Sequence, residues 1–314
     1  MKQISISLIL LFFTSCTKIQ PTQSPLVVAT KVIPTGTSLP PTSLPSLTPV
    51  TEVSCDPFSA DFCISDGHFI LQRPIQPRAN DLIDPSYRYG STANGTREPH
   101  HGVEFLNPSG TPVYAAADGT VIFAGQDDTA MYAPWANFYG NLVVLRHDAE
   151  LFTLYAHLSN IDVESGQQVF AGDKVGEVGM TGVAIGSHLH FEVRQGNAEN
   201  YFATQNPELW LVPAKDASGE LLGTLMISVV DESHNLVKHA EFTIEYYPDQ
   251  SQERSKTYYG TTYIAELLNG DENAVLGELP AGHYRIAMEG NGKVYERWVE
   301  VEWGRLTQVV FVVK

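Results

Sequence analysis

Apolar positions along this chain come in short runs, not in long periodic stretches. Between about residue 64 and residue 213 the runs include Thr111–Ala117, Thr120–Ala124, Asn141–His147, Leu151–His157 and His188–Arg194. Turn pairs separate them, among them Asp118-Gly119, Gly140-Asn141 and Ser165-Gly166. Runs of this length, rich in Val, Ile, Phe and Tyr, predict β-strands, and no segment holds a convincing 3.6-residue period. From about 216 to 314 the pattern continues with Leu225–Val230, Glu241–Tyr247, Tyr258–Leu268, Tyr284–Glu289, Val294–Glu302 and Thr307–Val313. Regular short strands without helices predict a β-sandwich. The fold class expected is all-β: an antiparallel sheet or sandwich domain over 53–213, followed by a smaller β-sandwich over 216–314.

The N-terminal segment breaks this pattern. Met1-Lys2 is followed by an almost unbroken apolar run from Ile4 to Phe13. That is too short to span a bilayer as a mature helix and has the dimensions of a signal-peptide core. It ends in Phe13-Thr14-Ser15-Cys16, which resembles the lipobox of bacterial lipoproteins. The resemblance implies a signal peptide over 1–16 and an exported chain held on the envelope side of the membrane by lipidated Cys16. Residues 17–52 then read as a linker, since 19 of 36 are Thr, Ser or Pro. At ~3.1 Å per residue an extended tether of this kind reaches roughly 100 Å.

Cysteine usage and charge narrow the setting. Of three cysteines, Cys55 and Cys63 lie close enough to close a short disulfide loop in an oxidising compartment, leaving Cys16 for its own use. A zinc site made by this pair is the alternative, but no second Cys or His pair stands at finger spacing. The formal charge of −17 excludes nucleic acid as a natural partner, because phosphate binding needs a basic face.

Three segments carry candidate chemistry. In His100-His101-Gly102-Val103-Glu104 an extended chain would point His100 and Glu104 to one side and His101 to the other. In Ser187-His188-Leu189-His190-Phe191-Glu192-Val193, two imidazoles share one face about 6.6 Å apart, and Leu189, Phe191 and Val193 fill the opposite face. His157 stands at the end of Leu154-Tyr155-Ala156-His157-Leu158 and gains meaning only in company with the others.

Together these segments resemble the lysostaphin-type (LytM-like) zinc peptidase family. The resemblance spans about 66–212 and includes Tyr89-Gly90-Ser91, His100-x-Gly102-x-Glu104-Phe105, Gly110-Thr111-Pro112-Val113 and Gly140-Asn141-x-Val143-x-Leu145-x-His147. Tyr155-Ala156-His157-Leu158-Ser159, Gly179-Met180-Thr181-Gly182 and Gly186-Ser187-His188-Leu189-His190-Phe191-Glu192-Val193 follow in family order. It implies one zinc ion per chain on His100, Glu104 and His190, with His157 and His188 as the catalytic residues beside it, either of them the base. It also implies hydrolysis of peptide cross-links between peptidoglycan stem peptides. The family motif has Asp where this chain has Glu104. A glutamate still ligates zinc, but its longer reach leaves a second reading open: a non-catalytic peptidoglycan-binding or hydrolase-activating lipoprotein of the same fold. The corner Leu279-Pro280-Ala281-Gly282-His283-Tyr284 is similar to carboxypeptidase-regulatory-like and prealbumin-type modules and suggests an accessory or spacer role for 216–314. Oligomeric state is not written in the sequence.

Overall fold

The computed structural model describes residues 55–314, apart from 94, 249–252 and 269. The signal segment, Cys16 and the linker lie outside the described residues. Val53–Lys314 is one compact unit. Its regular secondary structure is almost wholly β-strand, and no helix among the described residues is long and apolar enough to cross a membrane.

The strand His188–Gln195 organises the first half. It pairs antiparallel with Leu151–Ala156 on one side. On the other it pairs with Val103–Leu106 along its first half and with Thr204–Gln205 at its end. Asn141–Arg146, Gly119–Gln126 and Gln168–Val169 extend the sheet to seven strands. Side chains alternate across each strand, so the apolar stretch Leu142-Val143-Val144-Leu145 supplies two cores at once. Val143 and Leu145 join Phe105, Leu189, Phe191 and Val193 on one face. Leu142 and Val144 join Tyr139, Leu154 and Ala156 on the other. A three-stranded sheet of Pro112–Tyr114, Lys174–Glu177 and Asn160–Ile161 contributes Val113 and Val175 to the first core.

The C-terminal half is a sandwich of two four-stranded sheets. One orders Lys256–Thr261, Glu241–Tyr247, Gly282–Gly290 and Lys293–Val301; the other orders Cys63–Ser65, Leu306–Val312, Gly223–Val230 and Ala274–Leu279. Leu225, Ile227, Ile244, Tyr284, Ile286 and Phe311 fill the space between them. One pair, Gly223–Val230 with Leu306–Val312, runs parallel within otherwise antiparallel sheets. Cys63 bonds to Cys55, and its short strand is an edge of the C-terminal sheet.

Two features depart from the expected strands. The strand predicted over Tyr258–Leu268 stops at Thr261. Beyond it, Tyr263 and Leu267 leave the sandwich and are buried in the core of the first half. Tyr263 packs edge-on against Tyr89, and its hydroxyl accepts a hydrogen bond from Asn206 at 2.7 Å. Ala274–Leu279 forms a strand that its polar flank and Gly277 had concealed. An added Cβ at Gly277 would stand 2.7 Å from Glu208 Oε2, so that carboxylate would have to shift.

Glu208 joins the halves. Its buried carboxylate accepts from Arg88 and, at 2.6 Å, from the Gly277 amide. Burial pushes its carboxyl up, against the Arg88 charge. Glu208→Ala strands both donors, so the unfolding free energy is expected to fall by about 3 kcal/mol, measured by chemical denaturation. A loss under about 1 kcal/mol contradicts this account.

Candidate metal centre and active site

The pairing register assembles the site. His190 stands directly opposite Glu104 on one neighbour and Ala156 on the other, and His188 stands opposite Leu106. Directly opposed residues point to the same face, so Glu104 and His190 converge. Gly102 makes this close pairing possible, since a Cβ there would lie 2.4 Å from the Phe191 carbonyl oxygen. His100 comes from outside the strand, at the end of a loop closed by the bonds Gly90 N to His100 O (2.8 Å) and His100 N to Ser91 O (3.0 Å).

The hydrogen bonds fix the imidazole tautomers. His100 Nδ1 lies 2.7 Å from the Tyr87 carbonyl oxygen, which only accepts, so Nδ1 carries the proton and Nε2 is bare. His190 Nε2 lies 3.0 Å from the Glu192 carboxylate, so Nε2 donates and Nδ1 is bare. These two bare nitrogens face each other at 3.1 Å. Two opposed lone pairs repel unless a proton or a cation lies between them. Glu104 Oε1 is 3.8 Å from His100 Nε2, and the ligand atoms of His100, Glu104 and His190 all lie within 4.8 Å of one another. Burial, with the neighbouring His190 adding to it, drives the His100 pKa well down, so a proton on His100 is a poor solution. A divalent cation that takes imidazole and carboxylate donors fits this group.

His157 and His188 flank the group with rings 4.9 Å apart. His157 Nδ1 donates to the Thr181 carbonyl at 2.8 Å and His188 Nδ1 to the Gly186 carbonyl at 3.1 Å. Both therefore present bare Nε2 atoms. That of His188 is buried 3.5 Å from Glu104 Oε1 with no hydrogen-bond partner. Burial, followed by the neighbouring His190, lowers His157 to about 3 and His188 to about 4. Both rings are neutral and able to take a proton from a better acid held between them.

All five residues expected from the sequence meet here. His101 goes elsewhere: its Nδ1 lies 3.1 Å from the Tyr201 carbonyl and its ring stacks on Tyr201 at 3.9 Å, forming part of the wall. In the sequence Glu192 stands only as part of the motif and Arg194 has no assigned role. Both continue the face of His188 and His190, and both are completely buried. Arg194 Nε donates to Glu192 Oε2 at 2.8 Å and its Nη2 to the Tyr139 hydroxyl at 2.8 Å, while that hydroxyl donates to Glu192 Oε1. Burial alone would raise the Glu192 carboxyl; Arg194 and the bond from His190 outweigh it and hold it at about 2. The alternation His-x-His-x-Glu-x-Arg was the available signal, masked because buried charge looks like surface polarity in a sequence. Because a carboxylate behind an imidazole that would hold a metal orients it and raises its basicity, Glu192→Gln is expected to weaken divalent-cation binding roughly 10- to 100-fold in chelator competition. Unchanged affinity would count against this role.

A β-rich body with a buried His-Glu-His donor group and two neutral imidazoles beside it defines the class as metallopeptidase-like. Residues 98–202 match Peptidase family M23. It is 39% identical over 155 residues to the peptidoglycan DD-endopeptidase ShyA of Vibrio cholerae, covering 46% of this chain and 33% of that protein. It is 40% identical over 142 residues to an uncharacterized metalloprotease of Haemophilus influenzae, covering 45% of this chain and 27% of that protein. The chain thus spans about a third or less of the length of these curated relatives. The crystallised catalytic domain of lysostaphin from Staphylococcus simulans is 30% identical, with 40% of this chain and 88% of that one covered and a TM-score of 0.34.

Proposed function

We propose that this chain is a zinc-dependent metalloendopeptidase that hydrolyses peptide cross-links of bacterial peptidoglycan. The observation that carries the reading is the pair of bare imidazole nitrogens on His100 and His190, facing each other 3.1 Å apart beside the Glu104 carboxylate. The match to Peptidase family M23 and a relative named as a peptidoglycan DD-endopeptidase supply the substrate class. Residues 53–213 act as the catalytic domain and 216–314 as its accessory module. Cys16 anchors the chain by its lipid on the envelope side of the membrane, and residues 17–52 give it reach.

In this reading His100, Glu104 and His190 hold zinc, which when bound supplies Lewis acidity for polarising the scissile carbonyl and acidifying water. Three protein donors leave room for a further ligand. His157 and His188, with tautomers fixed by the Thr181 and Gly186 carbonyls, offer bare Nε2 atoms to that space. One takes a proton from the attacking water and returns it to the leaving amine; the other orients or stabilises the developing charge. Glu104 reaches His188 and His100 at 3.5 and 3.8 Å, so its extra methylene is accommodated within ordinary ligand reach.

The purified chain should bind about one zinc ion, release soluble fragments from peptidoglycan and lose that release on chelation. His190→Ala should lose both metal and hydrolysis. His188→Ala should keep the metal while hydrolysis falls at least about 100-fold, the scale of a lost general acid–base group. Zinc without hydrolysis of any wall type in the unaltered chain points to the binding or hydrolase-activating role instead; absence of zinc removes the reading altogether.

A further inference from the structure

One short loop supplies the carbonyls that fix both imidazoles beside the donor group. His188 N donates to the Gly179 carbonyl at 3.2 Å, and this bridge closes residues 180–187 into a loop. Its Thr181 carbonyl holds His157 Nδ1, and its Gly186 carbonyl holds His188 Nδ1. Burial does not hold its tip, where Val183 and Ile185 are exposed. A hydroxyl at its base does. Thr181 Oγ1 accepts from the Asn141 amide at 2.9 Å and donates to the Leu158 carbonyl at 3.0 Å. The fit is close, since a Cβ at Gly140 would stand 2.4 Å from that oxygen. His157 itself has φ +62°, a left-handed conformation that a residue with a side chain keeps only where its surroundings enforce it. Its amide donates to the Tyr139 carbonyl at 2.9 Å, and the Leu158 amide to the Asn141 carbonyl at 3.1 Å. Thr181 completes this clamp: its hydroxyl fastens the chain just after His157, and its carbonyl fastens the His157 ring.

We propose that Thr181 is a positioning residue for His157. Its hydroxyl fixes the place of its own carbonyl, and that carbonyl keeps His157 in the Nδ1–H form with Nε2 bare. This rests on the hydrolase reading above and names what orients one of its two imidazoles. The two functions sit on one residue, so losing the hydroxyl shifts the carbonyl relative to the ring it holds. A freed imidazole then rotates and exchanges tautomers, because the bond made by one ring nitrogen decides which nitrogen carries the proton. The effect is specific to His157. His188 takes its carbonyl from Gly186, two residues away along its own chain, and the Thr181 hydroxyl makes no bond there.

The test compares Thr181→Val, which keeps the shape and removes the hydroxyl, with Thr181→Ser, which keeps the hydroxyl, in the full-length chain with zinc added. Thr181→Ala takes the place of Thr181→Val should the valine chain not fold. In imidazole-nitrogen NMR the unaltered protein should show His157 as the Nδ1–H form, its signal identified by loss in His157→Ala. Thr181→Val should turn that signal into a mixture of tautomers while His188 stays Nδ1–H, and Thr181→Ser should restore it. On a soluble cross-linked stem-peptide dimer, kcat should fall about 10- to 100-fold in Thr181→Val, the scale of a misplaced catalytic group. KM and zinc content should stay unchanged, and Thr181→Ser should recover most of the rate. A Thr181→Val chain that loses only folding stability, with its His157 signal or its kcat unchanged, overturns the proposal and leaves the hydrolase reading intact. So does a loss that Thr181→Ser fails to recover. If the unaltered chain cuts no cross-link, the hydrolase reading falls and the nitrogen spectra alone decide for Thr181. Mixed His157 tautomers in Thr181→Val then support the proposal, and an unchanged signal overturns it.

Discussion

The antiparallel register of His188–Gln195 against Val103–Leu106 is the constraint on which the site depends. It opposes His190 to Glu104 and Leu189 to Phe105, so donors collect on one face while apolar side chains collect on the other. A slip of one residue would exchange these faces, putting imidazoles into the core and Leu189, Phe191 and Val193 against the metal group. The hydrophobic cost of that exchange locks the register. The geometry of the donor group is therefore stabilised by packing that takes no part in chemistry.

The same strand carries a second, electrical constraint. Glu192 and Arg194 are buried on the donor face, where an unpaired charge would be severely destabilising. Each makes the other tolerable, with Tyr139 and the Ala198 carbonyl taking the remaining bonds. The result is a fixed negative group behind His190 that selects which ring nitrogen stays bare. Arg194 thus reaches His190 through Glu192, and Tyr139 connects it to the loop before Asn141–Arg146.

The C-terminal sandwich is fastened to the catalytic sheet by buried groups, not by a surface of loose contacts. Tyr263 enters the core of the first half, Glu208 takes donors from both halves, and the Cys63–Ser65 edge strand joins the sheet that carries Gly277. Tyr89, which packs against Tyr263, precedes the loop that delivers His100. Sandwich and site are consequently joined through packing as well as through the chain.

The sequence by itself determined the all-β class and the position of most strands, and it pointed to the five residues His100, Glu104, His157, His188 and His190 that the fold brings together. Period-two alternation is local, and glycines such as Gly102 mark where strands must approach closely. It did not reveal the strand Ala274–Leu279 or the departure of Tyr263 from the sandwich, because both answer to Glu208, Asn206 and Tyr89, which lie far away in sequence. Nor did it distinguish Glu192 and Arg194 from solvated charges. Those outcomes depend on which side chains the fold brings within a few ångströms. Burial then decides whether a charge must be neutralised by a neighbour, like Arg194 by Glu192, or can be left to solvent.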